Sequence, residues 1–428
     1  MFILFKKNFN DIIKIRTSPS ARTLFLTSFG IRTSPSARTL FLTSFGIRTS
    51  PSARTLFFIN AQNMLEVLSL KLGAFGLDIS DLSLKIVKLK KWKNFLGLSC
   101  FWEEKIPAGI IEEGEIKNED SLVKILKENL HKVRKGKLKT NYVIASLPEE
   151  KAFLQVIQLP KMGDEELRGA VLFEAENYIP LPISDVYIDF QVVPPLYNHL
   201  DHLDVLIAAL PRKIIDSYVS VLKKSGLQPK VLEIESLAIG RALVKNGVSP
   251  FSTLLIDLGA TKTSFIIFSG SSVRFTSSIP VSSQNFTDAI ARALKIHGKD
   301  AEELKVKYGL AEKEHKEGLE IFEALIPSFT DLVEQIKTHL YYYQGHAQHE
   351  HLSPNGKGVA KILLSGGGAN LKGLSSLLAA ELKIPVEIGN PWVNILPEPL
   401  KEIPELHFDK SLSYTTALGL ALRGIKET

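Results

Sequence analysis

The stretch from residue 254 to 270 reads LLIDLGATKTSFIIFSG, and it narrows what the whole chain can become. A short, wholly apolar run (Leu254, Leu255, Ile256) ends in an acid, Asp257. A tight turn containing Gly259 follows, with hydroxyls at Thr261 and Thr263, and then a second apolar run from Phe265 to Phe268. Apolar runs of this length, bounded by turn residues, read as strands buried on both faces. A carboxylate at the tip of a buried hairpin, beside glycine and threonines, suits a metal–phosphate site. Glycine admits close approach of the backbone, amides and hydroxyls donate, and the acid holds a cation's waters. Acid–glycine turns also close ordinary hairpins, so the stretch alone leaves both readings open.

The same design occurs earlier. Phe75–Ile79 is a short apolar strand carrying Asp78, the turn is polar (Ser80, Asp81, Ser83), and Leu84–Leu89 alternates apolar and basic residues. Two acid-tipped hairpins imply an internal duplication, each half supplying one phosphate loop. A third stretch, KILLSGGGANLKGL at 361–374, runs a strand into Gly366, Gly367 and Gly368, and Asn370 is expected to open a helix at Leu371. Three glycines between strand and helix let a flat ligand lie against the backbone, with the helix N-terminus facing it.

Residues 151–212 read as an insert of the order strand–helix–strand–strand: Phe153–Gln158, Asp164–Tyr178, Val186–Val193 and Leu203–Leu210. Glu302 and Lys305 are three apart and share a helix face; from the residues alone a solvated ion pair is the plainer reading. Leu319–Tyr343 is read as a long helical stretch that contains His339, and His346, His349 and His351 after it are read as an exposed loop rather than a metal site. Residues 414–425 (YTTALGLALRGI) close the chain as a helix whose small residues, Ala417, Gly419 and Ala421, permit close packing.

A chain of 428 residues accommodates two or more domains. Its single cysteine, Cys100, excludes an internal disulfide framework and fits a reducing cytoplasm. No apolar run reaches the ~18 residues of a membrane-spanning helix. The net charge of +6 misleads, because residues 1–63 alone carry +8 and the remainder −2, so global basicity is no argument for nucleic acid. That basic segment holds IRTSPSARTLFLTSFG at 15–30, again at 31–46, and in part at 47–57. Identity this strict differs from the diverged repeats of a solenoid. It is expected to be a disordered extension, with the folded chain starting at Met64.

Two acid-tipped hairpins, a Gly-Gly-Gly turn and a closing Ala/Gly helix follow the order seen in the actin/Hsp70/sugar-kinase ATPases. More specifically, ILLSGGGANLKGL with the following PVEIGNPW, the closing TALGLALRG, and LQVIQLPKMGDEELRGAVLFEAENYIPLP in the insert resemble the PilM family. That family comprises type IV pilus assembly proteins related to the division protein FtsA, and the resemblance covers about residues 72–425. It implies a two-domain actin-like α/β fold, with 64–150 and 213–250 as subdomain 1A and 151–212 as an inserted 1C or SHS2-type subdomain. Residues 251–428 would form domain 2 (2A and 2B) with its closing helix.

The resemblance also implies ATP with Mg2+ between the halves. By position, Asp78, Ser80, Ser83 and Lys85 match phosphate loop one, and Asp257, Gly259, Ala260, Thr261 and Thr263 match phosphate loop two. Gly366, Gly367, Gly368 and Asn370 match the adenosine motif, and Glu302 and Lys305 match the helix that reaches the nucleoside. Asp78 and Asp257 would hold the Mg2+ through water. The implied role is a cytoplasmic ATP-binding scaffold at the inner face of the cytoplasmic membrane. It would grip the cytoplasmic tail of a PilN-like bitopic protein in a groove beside the insert, alongside other components of the pilus platform and without nucleic acid. Loop one departs from the family's DIG pattern: Ser80 replaces glycine, and Asp81 adds negative charge near the phosphates. Nucleotide binding is therefore expected more than efficient hydrolysis. The alternatives are an FtsA-like division filament, whose terminal membrane helix is not expected here, and an actin-fold adaptor with a degenerate nucleotide site. A sugar kinase of the same superfamily would need a catalytic base facing a sugar hydroxyl, and the sequence shows no such constellation.

Overall fold

The computed structural model describes residues 73–92, 95–134, 138–196, 201–311, 315–346, 358–397 and 404–426. The tandem repeat, Met64, His349 and His351 lie outside the described residues. The first half begins with a meander, β1 (Phe75–Ser80), β2 (Ser83–Trp92) and β3 (Phe95–Lys105). A short hairpin, β4 (Ile111–Glu112) with β5 (Glu115–Ile116), leads to α1 (Glu119–Arg134) and β6 (Tyr142–Leu147). Then come β7 (Phe153–Pro160), α2 (Asp164–Ala175), β8 (Val186–Val193) and β9 (His202–Pro211). The half closes with α3 (Arg212–Lys224), β10 (Gln228–Ile234) and α4 (Glu235–Leu243).

The second half repeats the plan: β11 (Ser249–Leu258), β12 (Thr263–Gly270), β13 (Ser272–Ile279), α5 (Ser283–Leu294), α6 (Gly298–Tyr308) and α7 (Lys316–His346). β14 (Val359–Ser365), α8 (Leu374–Leu382), β15 (Val386–Ile388), α9 (Phe408–Ser411) and α10 (Thr415–Lys426) complete it.

The two large sheets correspond strand for strand, in the orders β3-β2-β1-β6-β10 and β13-β12-β11-β14-β15. Each has an antiparallel meander on one side and two parallel strands on the other. This is the duplication that the two acid-tipped hairpins foretold. Parallel neighbours require crossover helices and so bury both sheet faces. That explains why β1 and β12 are buried nearly end to end and show no alternation. The second sheet packs Leu254, Ile256, Phe265 and Ile267 against Ile321, Leu325 and Ile336 of α7.

β7, β8 and β9 form a separate antiparallel sheet in the order β7-β9-β8, covered by α2 through Leu167, Val171 and Ala175. α2 ends at Ala175, three residues short of the expected Tyr178. The chain turns there as Ile179 N–H donates back to the Ala175 carbonyl. α10 follows the second half in sequence but packs on the first sheet: its Ala417, Leu418 and Ala421 share a core with Val87 and Leu89 of β2. Among the described residues no helix is long and apolar enough to cross a membrane.

Candidate functional site

The two acid-tipped hairpins meet at their turns, where Thr261 of the second reaches Asp81 of the first. In the first, Asp78 pairs in register with Lys85 across β1–β2. Asp78 is 6% exposed, and burial raises its pKa against the opposing pull of Lys85, the Ser146 hydroxyl and Lys262. Ser80 Oγ donates to the Ser83 carbonyl (3.1 Å), and Lys85 Nζ donates to Ser83 Oγ (2.7 Å). In the second hairpin, Asp257 accepts a hydrogen bond from Ser365 Oγ of β14 (2.8 Å). Its pKa is also raised, by burial and by the nearby charge of Asp78, with Ser365 opposing. The two acids are thus close enough to repel each other.

The β11–β12 turn is closed by Gly259 N–H donating to the Lys262 carbonyl (2.9 Å). A Cβ on Gly259 would stand 2.9 Å from that same oxygen, which accounts for the glycine. The Gly259 and Ala260 carbonyls accept from Ser283 and Gln284 N–H, tying the turn to the start of α5. Thr261 is exposed, and its hydroxyl donates to Asp81 Oδ2 in the first loop (3.3 Å). Asp81 also accepts from the Gly114 amide (3.0 Å), so its charge is partly taken up by the protein itself. Thr263 departs from the expected role: it is 0% exposed and its hydroxyl donates to the Val281 carbonyl (2.6 Å), which leaves no proton for a ligand.

Glu302 and Lys305 are not the solvated pair that their spacing alone suggests. Lys305 is 6% exposed and donates to Ser283 Oγ (3.0 Å) and Thr287 Oγ1 (2.7 Å), while also pairing with Glu302 (2.7 Å). Through Ser283, whose amide donates to the Gly259 carbonyl, this cluster joins the β11–β12 turn.

The three glycines divide their tasks. A Cβ on Gly366, whose φ is +83°, would meet the Leu258 carbonyl oxygen at 2.4 Å, and one on Gly368 would meet Leu258 Cγ at 2.5 Å. Both are required for the loop to lie on the end of β11. Gly367 has only Ser413 Cβ within reach, at 3.8 Å, and is the one that leaves open space. The helix expected at Leu371 begins instead at Leu374. Gly367–Asn370 is a short 3-10 turn, and the chain then reverses at left-handed Gly373 to let Leu310 N–H reach the Lys372 carbonyl (2.7 Å). Asn370 does not cap a helix; its side-chain amide donates to the Asp409 carbonyl (2.9 Å).

Three contributors escaped the sequence reading: Lys262, Glu150 and Glu235. Lys262 Nζ, in the second loop, reaches Glu235 (2.8 Å) at the start of α4 and also contacts Glu150 just after β6. Burial alone would lower the Lys262 pKa, but Glu235 and Glu150 outweigh it and keep the ammonium charged. Burial, with repulsion from Glu150 and Asp78, raises Glu235 to about 8 even though Lys262 opposes this. A folded-state pKa above the unfolded value means that folding takes up a proton. Stability from this group is therefore full below its ordinary value of 4.5 and is lost as pH rises towards 8. Across that window the urea midpoint of a Glu235→Gln variant is expected to gain steadily on that of the unsubstituted protein. A constant difference between the two would show that Glu235 titrates normally.

His339 belongs to the core rather than to a site. Its Nε2 pairs with Ser277 Oγ (2.9 Å), its Nδ1 with the Gln335 carbonyl (2.7 Å), and its ring packs on Phe265. Among the described residues no group of three or more His, Cys, Asp or Glu side chains is arranged to hold a metal ion. Two acids without a full protein cage still fit Mg2+, which keeps most of its waters and is commonly held by one or two carboxylates together with phosphate oxygens.

A separate concavity of about 400 Å³ lies where β5, the start of α1 and α3 meet, lined by Glu115, Ile116, Glu119, Lys213, Ile214 and Asp216 among others.

The family model described as type IV pilus assembly protein PilM matches residues 76–425. The structure is similar to a PilM–PilN type IV pilus biogenesis complex, with a TM-score of 0.68 and 29% identity, covering 83% of this chain and 99% of that one. MreB5 of Spiroplasma citri bound to ADP shares the fold, with a TM-score of 0.50 and 14% identity over 83% of this chain and 98% of that one. The cell division protein FtsA of Pseudomonas aeruginosa is 23% identical over 225 residues, covering 48% of this chain. The chain spans 50% of the length of that relative.

Proposed function

The chain belongs to the PilM family of type IV pilus assembly proteins, and from that premise we propose that it is a nucleotide-binding scaffold that docks the cytoplasmic tail of a PilN-type membrane protein. The observation that carries the reading is the likeness to the PilM–PilN complex, which extends over 99% of the solved chain at 29% identity. The protein would work in the cytoplasm at the inner face of the membrane, held there by its partner. The tail would lie in the concavity where β5, the start of α1 and α3 meet, next to the end of the insert at Arg212, which offers carboxylates and Lys213 with apolar Ile116 and Ile214. Extended peptides are captured in this way by defined pockets.

ATP would enter between the two hairpins. Asp78 and Asp257 would hold Mg2+ through its waters, and the cation would offset charge on the phosphates. Lys85 adds positive charge beside both acids. Gly367 leaves room for the adenosine face, and the Glu302–Lys305 cluster stands behind loop two. Asp81 keeps a carboxylate near the phosphates, which disfavours tight binding and favours a weak switch over a fast ATPase.

The test is a titration of the synthetic N-terminal tail of the organism's own PilN-type protein, with and without Mg-ATP, on the full chain and on Asp257→Ala. Tail binding by both proteins, with ATP binding lost only in the variant, is the expected result. Failure of the tail to bind either folded protein would sink the scaffold reading. Unchanged ATP affinity in Asp257→Ala would remove the nucleotide from this cleft.

A further inference from the structure

Thr261 and Lys262 are neighbours in the β11–β12 turn of the second half, and both of their side chains leave that half. Thr261 reaches Asp81 in the β1–β2 turn. Lys262 goes deeper and is held by two carboxyl groups on separate elements of the first half. Glu150 lies in the short helical turn that follows β6, and Glu235 is the first residue of α4, which follows β10. The Lys262 side chain is 22% exposed, and those of Glu150 and Glu235 are 17% and 9% exposed. Glu235 is itself fixed, since its Oε2 also accepts from the Glu149 amide (3.4 Å).

The placement has a mechanical consequence. The cleft between the two sheets can open only if the second loop moves away from the ends of β6 and β10. Displacement of the second loop from the ends of β6 and β10 would draw Lys262 Nζ off Glu150 and Glu235 together, because the lysine alone holds both carboxyl groups from that loop. A contact of this kind is strong enough to set the resting geometry. It is also wet enough to break, because water can reach the separated groups through the partly exposed lysine. An arriving polyphosphate meets an ammonium already engaged by two acids and must compete for it.

We propose that Lys262, gripping Glu150 and Glu235, is a latch that holds the two halves together at the base of the cleft, and that its release is the step by which the cleft opens. The consequence for ligand exchange rests on the nucleotide reading above; the latch itself does not.

The test is hydrogen exchange on the full chain without nucleotide, comparing the unsubstituted protein with Lys262→Met and with the triple variant Lys262→Met/Glu150→Gln/Glu235→Gln. The triple variant keeps the side-chain shapes and leaves no unpaired charge, so it carries the test should the single variant fail to fold. In both, amides of residues 80–83, 147–151 and 259–263 are expected to exchange about tenfold faster, the size of a single coupling interaction. The centres of β1 and β12 are expected to stay protected. Unchanged exchange, or acceleration confined to 259–263, would overturn the latch and leave Lys262 a local turn residue. Loss of folding in the triple variant would overturn it as well, by showing these residues to be core packing. Release of a fluorescent ADP analogue, measured in parallel, is expected to quicken by a similar factor. If none of the proteins binds the analogue, the nucleotide reading fails while the exchange result still decides the latch.

Discussion

A Glu233→Ala variant is expected to lose about 3–5 kcal/mol of stability, the range for removing one partner of a buried ion pair. Glu233 lies on β10 at 1% exposure. Its Oε1 accepts from Arg241 Nη2 (2.5 Å) and Arg423 Nη1 (2.6 Å), and its Oε2 accepts from Arg241 Nη1 (2.6 Å). Burial pushes the carboxyl pKa up, but the two guanidiniums outweigh it and hold it below the ordinary range. Without Glu233, two cations remain beside each other, one of them, Arg423, only 3% exposed. Chemical denaturation reads the loss directly, and a decrease of less than about 1 kcal/mol would show that the arginines find other partners or water. A combined variant, Glu233→Met/Arg241→Met/Arg423→Leu, should recover most of the loss, because an apolar replacement of a whole buried ion cluster is often neutral. The cluster joins three elements: β10, α4 and, through Arg423, the closing helix α10.

The plan of two matched halves was legible because its markers are local. An apolar run ending in Asp78 or Asp257, and a strand running into Gly366–Gly368, need only a few adjacent residues to be recognised. What lay hidden was set by distant partners. β3 was not foreseen because most of its residues are half-buried and show no alternation, and β13 because it is rich in Ser, Thr and Arg. Lys262 sits between two threonines, as an ordinary solvated turn lysine would; its carboxyl partners are 112 and 27 residues away. Glu302 and Lys305 look like a surface pair until α5 covers the lysine. Thr263 shares its turn with Thr261, but the pleat sends it into the core, where its hydroxyl donates to the Val281 carbonyl. Of the three glycines, only Gly367 stands where a ligand explanation is needed; the other two answer to Leu258.

A Gly419→Ala variant is expected to lose on the order of 3 kcal/mol, the upper part of the range for overpacking a tight contact. A Cβ at Gly419 would lie 2.0 Å from the Ala238 carbonyl oxygen and 2.6 Å from its carbon. Both are backbone atoms of α4, so no rotamer change relieves the clash. The opposite approach is equally close: a Cβ on Gly76 of β1 would lie 2.4 Å from the Ala417 carbonyl oxygen and 2.6 Å from the Ala421 amide nitrogen. α10 is thus seated backbone to backbone on both neighbours. The sign of the effect is diagnostic, because in an exposed helix the same change stabilises by about 1 kcal/mol. A denaturation midpoint that stays level or rises would therefore refute the close contact. The displacement should also be felt at the cleft. The Gly366 amide donates to the Leu412 carbonyl (3.1 Å) just ahead of α10, and Ser413 is the nearest neighbour of Gly367. Shifting α10 moves the glycine loop, so nucleotide affinity is expected to fall together with stability. Asp257→Ala is expected to separate the two, with affinity lost and the fold largely kept, since the main bond of Asp257 among the described residues is to Ser365. Measured side by side, the two variants distinguish a residue that binds from one that holds the binding loop in place.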